Sequence, residues 1–154
     1  METIKSHILN YYSKVKRANK ETPKREAFKD LLNRLYTGDK TIETLIDKIT
    51  LGAERAILDI PRKDSFYKGS ADALYNKVII EFENNLKVTG KHAKGQLAGY
   101  LLGQVRLGEP YDFTLIATDC IDWIVYALDP SCIDRLDVLT EEEVILTEVE
   151  TSSF

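Results

Sequence analysis

Helices come first in this chain, strands follow, and one helix then sits between two strands, an order that marks an α/β or α+β domain. A chain of 154 residues, 44% hydrophobic and 30% charged, has the composition of one ordinary globular domain, which excludes disorder, collagen and a disulfide scaffold. The step from the apolar run at 78–83, through a Gly- and Ala-rich helical stretch at 89–105, to a strand at 111–118 has βαβ proportions.

Ile4, Ile8, Leu9, Tyr12 and Val15 recur at helical spacing and predict a first helix over 2–19. Thr22-Pro23 predicts an N-cap followed by a proline at the first helical position, with the apolar positions Ala27, Leu31, Leu32 and Leu35 carrying a second helix to about Tyr36. Thr41 predicts the cap of a shorter third helix whose apolar face is Ile42, Leu45, Ile46 and Ile49. Residues 53–60 lean to strand and end at Pro61; 64–70 read as a polar loop. Residues 71–75 and 78–82 predict a hairpin turning at Asn76-Lys77, and Val78-Ile79-Ile80 has the character of a buried strand. Further strands are predicted at 111–118, 123–128 and 144–149, with a break at Pro130.

The net charge of −4 argues weakly against a nucleic-acid ligand. That average hides a split: residues 1–111 carry 20 basic and 14 acidic side chains, whereas 112–154 carry 1 and 11. Basic residues gather at Lys14, Lys16, Arg17, Lys20, Lys24 and Arg25, and again at Lys87, Lys91 and Lys94, where they could meet phosphates. Cys120 and Cys132 have no nearby His and no metal-ligand spacing, so they read as two buried or half-buried thiols. Residues 1–20 lack a continuous apolar stretch and the longest apolar runs are far below a membrane span, so the chain reads as cytoplasmic.

The chemically informative stretch is 69–83. Alternation along a strand places Ile79, Glu81 and Glu83 on one face and Val78, Ile80 and Phe82 on the other, with the two glutamates about 7 Å apart. Asp72, on the preceding strand, is expected opposite them. Carboxylates grouped in this way repel one another unless a cation lies between them. Mg²⁺, which takes oxygen ligands and keeps several waters, needs only one Asp and one Glu as anchors. Without a cation, a buried acid in such a group has its pKa raised.

Gly69-Ser70-Ala71-Asp72-Ala73-Leu74-Tyr75, followed by Val78-Ile79-Ile80-Glu81-Phe82-Glu83, resembles the PD-(D/E)XK nuclease motif, with Ala71 in place of its proline and Glu83 in place of its usual lysine. Gln96 and Tyr100, four apart on one helix face, are similar to the Gln-x-x-x-Tyr motif of RecB-like nucleases, and His92 extends the stripe. Glu21, with Arg25 four residues on, is similar to the opening helix of the same modules, where that Glu can join the metal site; Glu26 and Glu54 compete with it. Gly95, Gly99 and Gly103 recur every four residues, which would let the helix approach a neighbouring backbone.

The resemblance covers about residues 20–120. It implies a restriction endonuclease-like core, a central four- to five-stranded mixed sheet flanked by helices, in one domain with a helical part at 1–50 and a sheet core at 51–154. Such modules often stand at the N-terminus of larger restriction–modification proteins. The implied activity is Mg²⁺-dependent hydrolysis of double-stranded DNA, with Mn²⁺ able to substitute. The implied metal ligands are Asp72, Glu81, Glu83 and the Phe82 carbonyl. Glu21, Gln96 and Tyr100 complete the implied catalytic group, and Lys87, Lys91 and Lys94 join Gln96 and Tyr100 as DNA contacts. A homodimer or further subunits are expected, because cutting both strands generally takes two sites. Glu83 motivates an alternative, a non-catalytic module of the same fold that binds nucleic acid or a protein. The acidic C-terminal segment motivates a third, a domain that meets a basic partner, and is expected to face away from the site.

Overall fold

The computed structural model describes residues 3–50 and 55–154. Three helices open the chain: α1 (Ile4–Arg17), α2 (Glu21–Leu35) and α3 (Lys40–Ile49). The strands are β1 (Arg55–Arg62), β2 (Ser65–Ala71), β3 (Ala73–Tyr75), β4 (Val78–Phe82), β5 (Thr114–Thr118), β6 (Asp122–Leu128) and β7 (Leu146–Ser153). Helix α4 (Leu86–Arg106) joins β4 to β5, and a 3₁₀ turn (Pro130–Arg135) follows β6.

The helix starts differ from the sequence expectation. Helix α2 begins at Glu21 with Lys20 before it, so Thr22 is not the cap. Pro23 is accommodated because the first-turn N–H groups have no intrahelical partner in any case. Asp39, not Thr41, caps α3: its Oδ1 accepts from Thr41 N at 3.0 Å and Ile42 N at 3.1 Å. Asn85 caps α4, Oδ1 accepting from Lys87 N at 3.1 Å, so this helix starts a turn earlier than its glycine-rich stretch suggests.

Two segments are corrected outright. Strand β1 runs through Pro61, which faces Phe66 of β2 in a two-stranded antiparallel sheet where a missing donor is tolerated. Residues 64–70 are not a loop but mostly strand β2. One side of β2 is exposed and only Tyr67, Gly69 and Ala71 turn inward, so its composition resembles that of a loop.

The main sheet has the order β3-β4-β5-β6-β7, with β4 and β5 parallel and the other pairs antiparallel. This is a mixed α/β arrangement with a five-stranded mixed sheet and helices, as the order of elements predicts. Asn76 takes a left-handed φ of 51° in the tight β3–β4 turn, a conformation Asn tolerates. The sheet separates two apolar clusters. Ile79, Leu115 and Ala117 pack on Leu97 and Leu101 of α4, whereas Ile80 and Phe82 pack on Tyr11, Val15, Ala27 and Leu31 of α1 and α2. The predicted alternation along β4 is thereby realised. Helix α4 is buried on nearly all sides from Leu97 to Gln104, because the sheet covers one flank and the β1–β2 hairpin another. Each fully buried Leu of this layer contributes roughly 1.5–3 kcal/mol.

Cys120 and Cys132 are both free and buried, as expected. Among the described residues no helix is long and apolar enough to cross a membrane.

Candidate carboxylate site

The chain bends at Asp72, between β2 and β3, where it leaves the hairpin and joins the main sheet. Extending the β3–β4 register by one residue from Ala73↔Ile80 sets Asp72 across from Glu81. The Asp72 side chain stitches the junction: Oδ2 accepts from Phe82 N at 2.8 Å and Oδ1 from Arg25 Nη1 at 3.1 Å. Glu81 lies on the α4 side of β4 and is only 6% exposed. Burial, then the neighbouring Asp72, push its carboxyl up to about 9, with Glu83 and Glu21 adding to the rise and a backbone hydrogen bond from Asp72 opposing it. Glu81 Oε2 is buried without a hydrogen-bond partner.

Glu21 comes to the same place from the first turn of α2. Burial and then Asp72 raise its carboxyl, against the hydrogen bond and charge of Arg25, whose Nη1 stands 3.2 Å from Glu21 Oε1. Glu83 is half-buried one step past β4, where its N–H donates to the Thr118 carbonyl at 2.8 Å and prolongs the parallel pairing. The Phe82 ring faces the α2 side, 4.7 Å from the Arg25 guanidinium. Asp72, Glu81, Glu83 and Glu21 thus act on one another electrostatically. Among the described residues, however, no three His, Cys, Asp or Glu side chains are gathered closely enough to hold a metal ion. The donors are all oxygen, and the unpartnered Glu81 Oε2 is an atom that a hard cation would satisfy, so this set suits Mg²⁺ better than a softer metal.

Helix α4 covers the α4-side face. Tyr100 donates its hydroxyl to the Ser70 carbonyl at 3.0 Å and accepts from Gln96 Nε2 at 3.2 Å. Burial and the nearby Glu81 raise its phenol. Gln96 also lines a cavity of about 230 Å³ with Arg62, Tyr67, Lys91, His92 and Glu141. Lys91 therefore stands beside Gln96. Lys87 is exposed near Asp122, and Lys94 lies 5.5 Å from the Tyr126 ring.

Several residues depart from their expected places. Lys24 and Arg25 are not part of a surface basic cluster: both are buried, Lys24 directed to the Asn84 carbonyl and Arg25 into the carboxylates. Lys14 pairs with Asp30 at 3.0 Å. Glu26 is exposed beside a groove with Lys14 and Arg34, and Glu54 lies outside the described residues. The acidic C-terminal segment does not wholly turn away. Glu141 accepts from Arg62 Nε and Tyr67 Oη, each at 2.7 Å, and its N–H donates to the Pro61 carbonyl at 2.9 Å. No local signal announces this clamp, since Arg62 and Glu141 are 79 residues apart.

On α4, Gly99 is a glycine that close packing requires. A Cβ there would stand 2.6 Å from Glu141 Oε2 and 3.0 Å from both Ile60 Cγ2 and Tyr67 Oη, whereas a Cβ on Gly95 would meet nothing within 4 Å. Gly99→Ala is expected to destabilise by about 1–3 kcal/mol through overpacking. Gly95→Ala is expected to stabilise by roughly 0.5–1 kcal/mol by removing helix-interior glycine entropy. Urea melts of the two variants check the pair; equal effects would contradict it.

Comparison of the chain with protein-family models, with curated proteins and with solved structures finds no match.

Proposed function

We propose that the chain is a Mg²⁺-dependent DNA endonuclease domain that hydrolyses phosphodiester bonds and serves to restrict foreign DNA, with Mn²⁺ able to substitute. The observation that carries this reading is Glu81, a buried carboxyl with an unpartnered oxygen, set across the hairpin from Asp72. An acid kept in that setting costs stability unless a cation neutralises the group. The parallel β4–α4–β5 unit, which brings Tyr100 near Glu81 with Gln96 bonded to its hydroxyl, supports a restriction endonuclease-like core.

In this reading Asp72 and Glu81 would hold the cation, with Glu83 and the Phe82 carbonyl as further oxygen ligands. A divalent cation so bound supplies charge neutralisation at the scissile phosphate and acidifies its bound water. Glu83, half-buried at the end of β4, is the group to accept a proton from the attacking water. Gln96, tied to Tyr100, would orient that water or a phosphate oxygen. Lys87 and Lys91 would contact phosphates of double-stranded DNA, and Lys94 would do so on leaving Tyr126. A second copy or further subunits of a restriction–modification system would supply the second cut. The reading places the protein in the cytoplasm.

A second reading, a non-catalytic module of the same fold that binds nucleic acid or a protein, is favoured by Arg25 occupying Asp72 Oδ1 and by Glu83 in the lysine position. Plasmid cleavage separates the two. The first reading expects nicking or linearisation with Mg²⁺ or Mn²⁺, reduced about a thousandfold or more in Asp72→Ala and Glu81→Ala. No cleavage with any divalent metal, alongside salt-sensitive DNA binding that survives both substitutions, would leave only the second.

A further inference from the structure

We infer that Arg25 and a divalent cation are alternative counter-ions of one carboxylate group, so that Arg25 holds Asp72 in place without a cation and sets how tightly one binds. The inference rests on the cation reading above and assigns the regulation of that site to a residue on the opposite face of the sheet.

The guanidinium is built into the protein. Arg25 is 4% exposed, its Nη2 donates to the Thr50 carbonyl at 3.3 Å, and it lies over the Phe82 ring. Its Nη1 is shared between two acids, Asp72 Oδ1 and Glu21 Oε1. The nearest other buried cation, Lys24, is spent on the Asn84 carbonyl. Among the described residues Arg25 thus pairs with two acids of the group, Glu21 and Asp72, and position 83 itself adds an acid where a lysine would have added a base. Arg25 reaches the group from the α2 side of β4, whereas Glu81 lies on the α4 side. The two faces of the strand thus share one charge balance.

Arg25 Nε is buried without a partner, so its pairing is incomplete even in this arrangement. A cation drawn to Asp72 and Glu81 competes with Nη1 for Asp72 Oδ1. On yielding that oxygen the guanidinium keeps Glu21 and Thr50 as acceptors, so the exchange leaves no stranded charge. Arg25 is accordingly a positioning residue that acts through Asp72. Removing its charge has two opposite effects. The cation-free protein loses the guanidinium that pairs with Asp72 and Glu21, and the cation loses a competitor for Asp72 Oδ1. A merely structural role predicts instead that cation binding weakens along with stability.

The test is Mn²⁺ binding by calorimetry on the full chain at pH 7.5, with thermal melts in EDTA and in Mn²⁺. Arg25→Gln is expected to bind Mn²⁺ about tenfold more tightly, as one nearby charge is withdrawn. It should also melt lower than wild type in EDTA and recover in Mn²⁺, while Arg25→Lys, which keeps the charge but not the fork, should bind Mn²⁺ no more tightly than wild type. A folded Arg25→Gln with unchanged or weaker Mn²⁺ affinity, in a wild type that binds the ion, overturns this inference and leaves the cation reading standing. A wild type that binds no divalent ion overturns both. Should Arg25→Gln not fold, ¹⁵N-arginine spectra of the wild type decide: Arg25 resonances that shift as Mg²⁺ saturates support the exchange, and unshifted ones alongside measured Mg²⁺ binding refute it.

Discussion

Replacing Glu81 by Gln is expected to stabilise the cation-free protein at neutral pH and to flatten its loss of stability on the alkaline side. The Glu81 carboxyl sits at about 9 in the folded chain against an ordinary value of 4.5, raised first by burial and then by Asp72. Below the ordinary value both folded and unfolded chains hold the proton, and the folded state suffers no charge penalty. As pH rises through the interval the unfolded chain ionises first, and stability falls until the folded carboxyl ionises too. At about 1.4 kcal/mol per unit, the loss is on the order of 3 kcal/mol by pH 7 and about 6 kcal/mol above pH 9. Glutamine keeps the shape and carries no charge, so this slope disappears, apart from a smaller one of the same sign from Glu21. Urea melts in EDTA at pH 5, 7 and 8.5 measure it, and parallel profiles for wild type and variant would refute the assignment. Mg²⁺ should lessen the alkaline loss in the wild type and leave Glu81→Gln little changed.

Asp119→Ala is expected to be among the most destabilising single changes in the chain, at about 3–5 kcal/mol. The side chain is buried and accepts three backbone N–H groups: Leu86 at 2.9 Å, Ile121 at 3.0 Å and Asp122 at 2.8 Å. Alanine leaves all three donors without their acceptor, each costing about 1–3 kcal/mol where water cannot reach. The bonds to Ile121 and Asp122 close the turn into β6, in which Cys120 adopts a left-handed φ of 71°. The bond to Leu86 ties the first turn of α4 to the end of β5. Loss of Asp119 should therefore loosen the helix that carries Gln96 and Tyr100. Hydrogen exchange at Leu86, Ile121 and Asp122 checks this, with Asp119→Asn, which retains one carbonyl acceptor, expected between wild type and Ala. Fast exchange confined to the 119–122 turn would show that α4 is not anchored this way.

Much of the architecture is legible in local pattern. The β4 run is apolar on both faces, so its burial follows from composition, and strict alternation separates Ile79 and Glu81 from Ile80 and Phe82. The β3–β4 hairpin, the helix after it and its parallel partner strand follow from the same periodicities. Strand β2 does not, because a strand covered on one side by a few residues has little to distinguish it from a polar loop. Pro61 reads as a stop signal, yet it lies in a two-stranded sheet where one missing donor is harmless.

The sequence by itself determined that Asp72 falls across the hairpin from Glu81, because strand alternation and a two-residue turn leave little freedom there. It also determined that Gln96 and Tyr100 share a helix face, since residues four apart always do, and they are joined by a hydrogen bond here. Only the tertiary structure decided what surrounds that group. Arg25 looks like one more member of a basic cluster until α2 folds against the sheet and buries it beside Asp72, 47 residues away. Glu141 looks like part of an acidic tail until its backbone docks on Pro61 and its carboxylate closes on Arg62 and Tyr67. The physical reason is common to both. Counter-ion pairing depends on distance through space and on burial, and neither is encoded in the spacing of residues along one strand or helix.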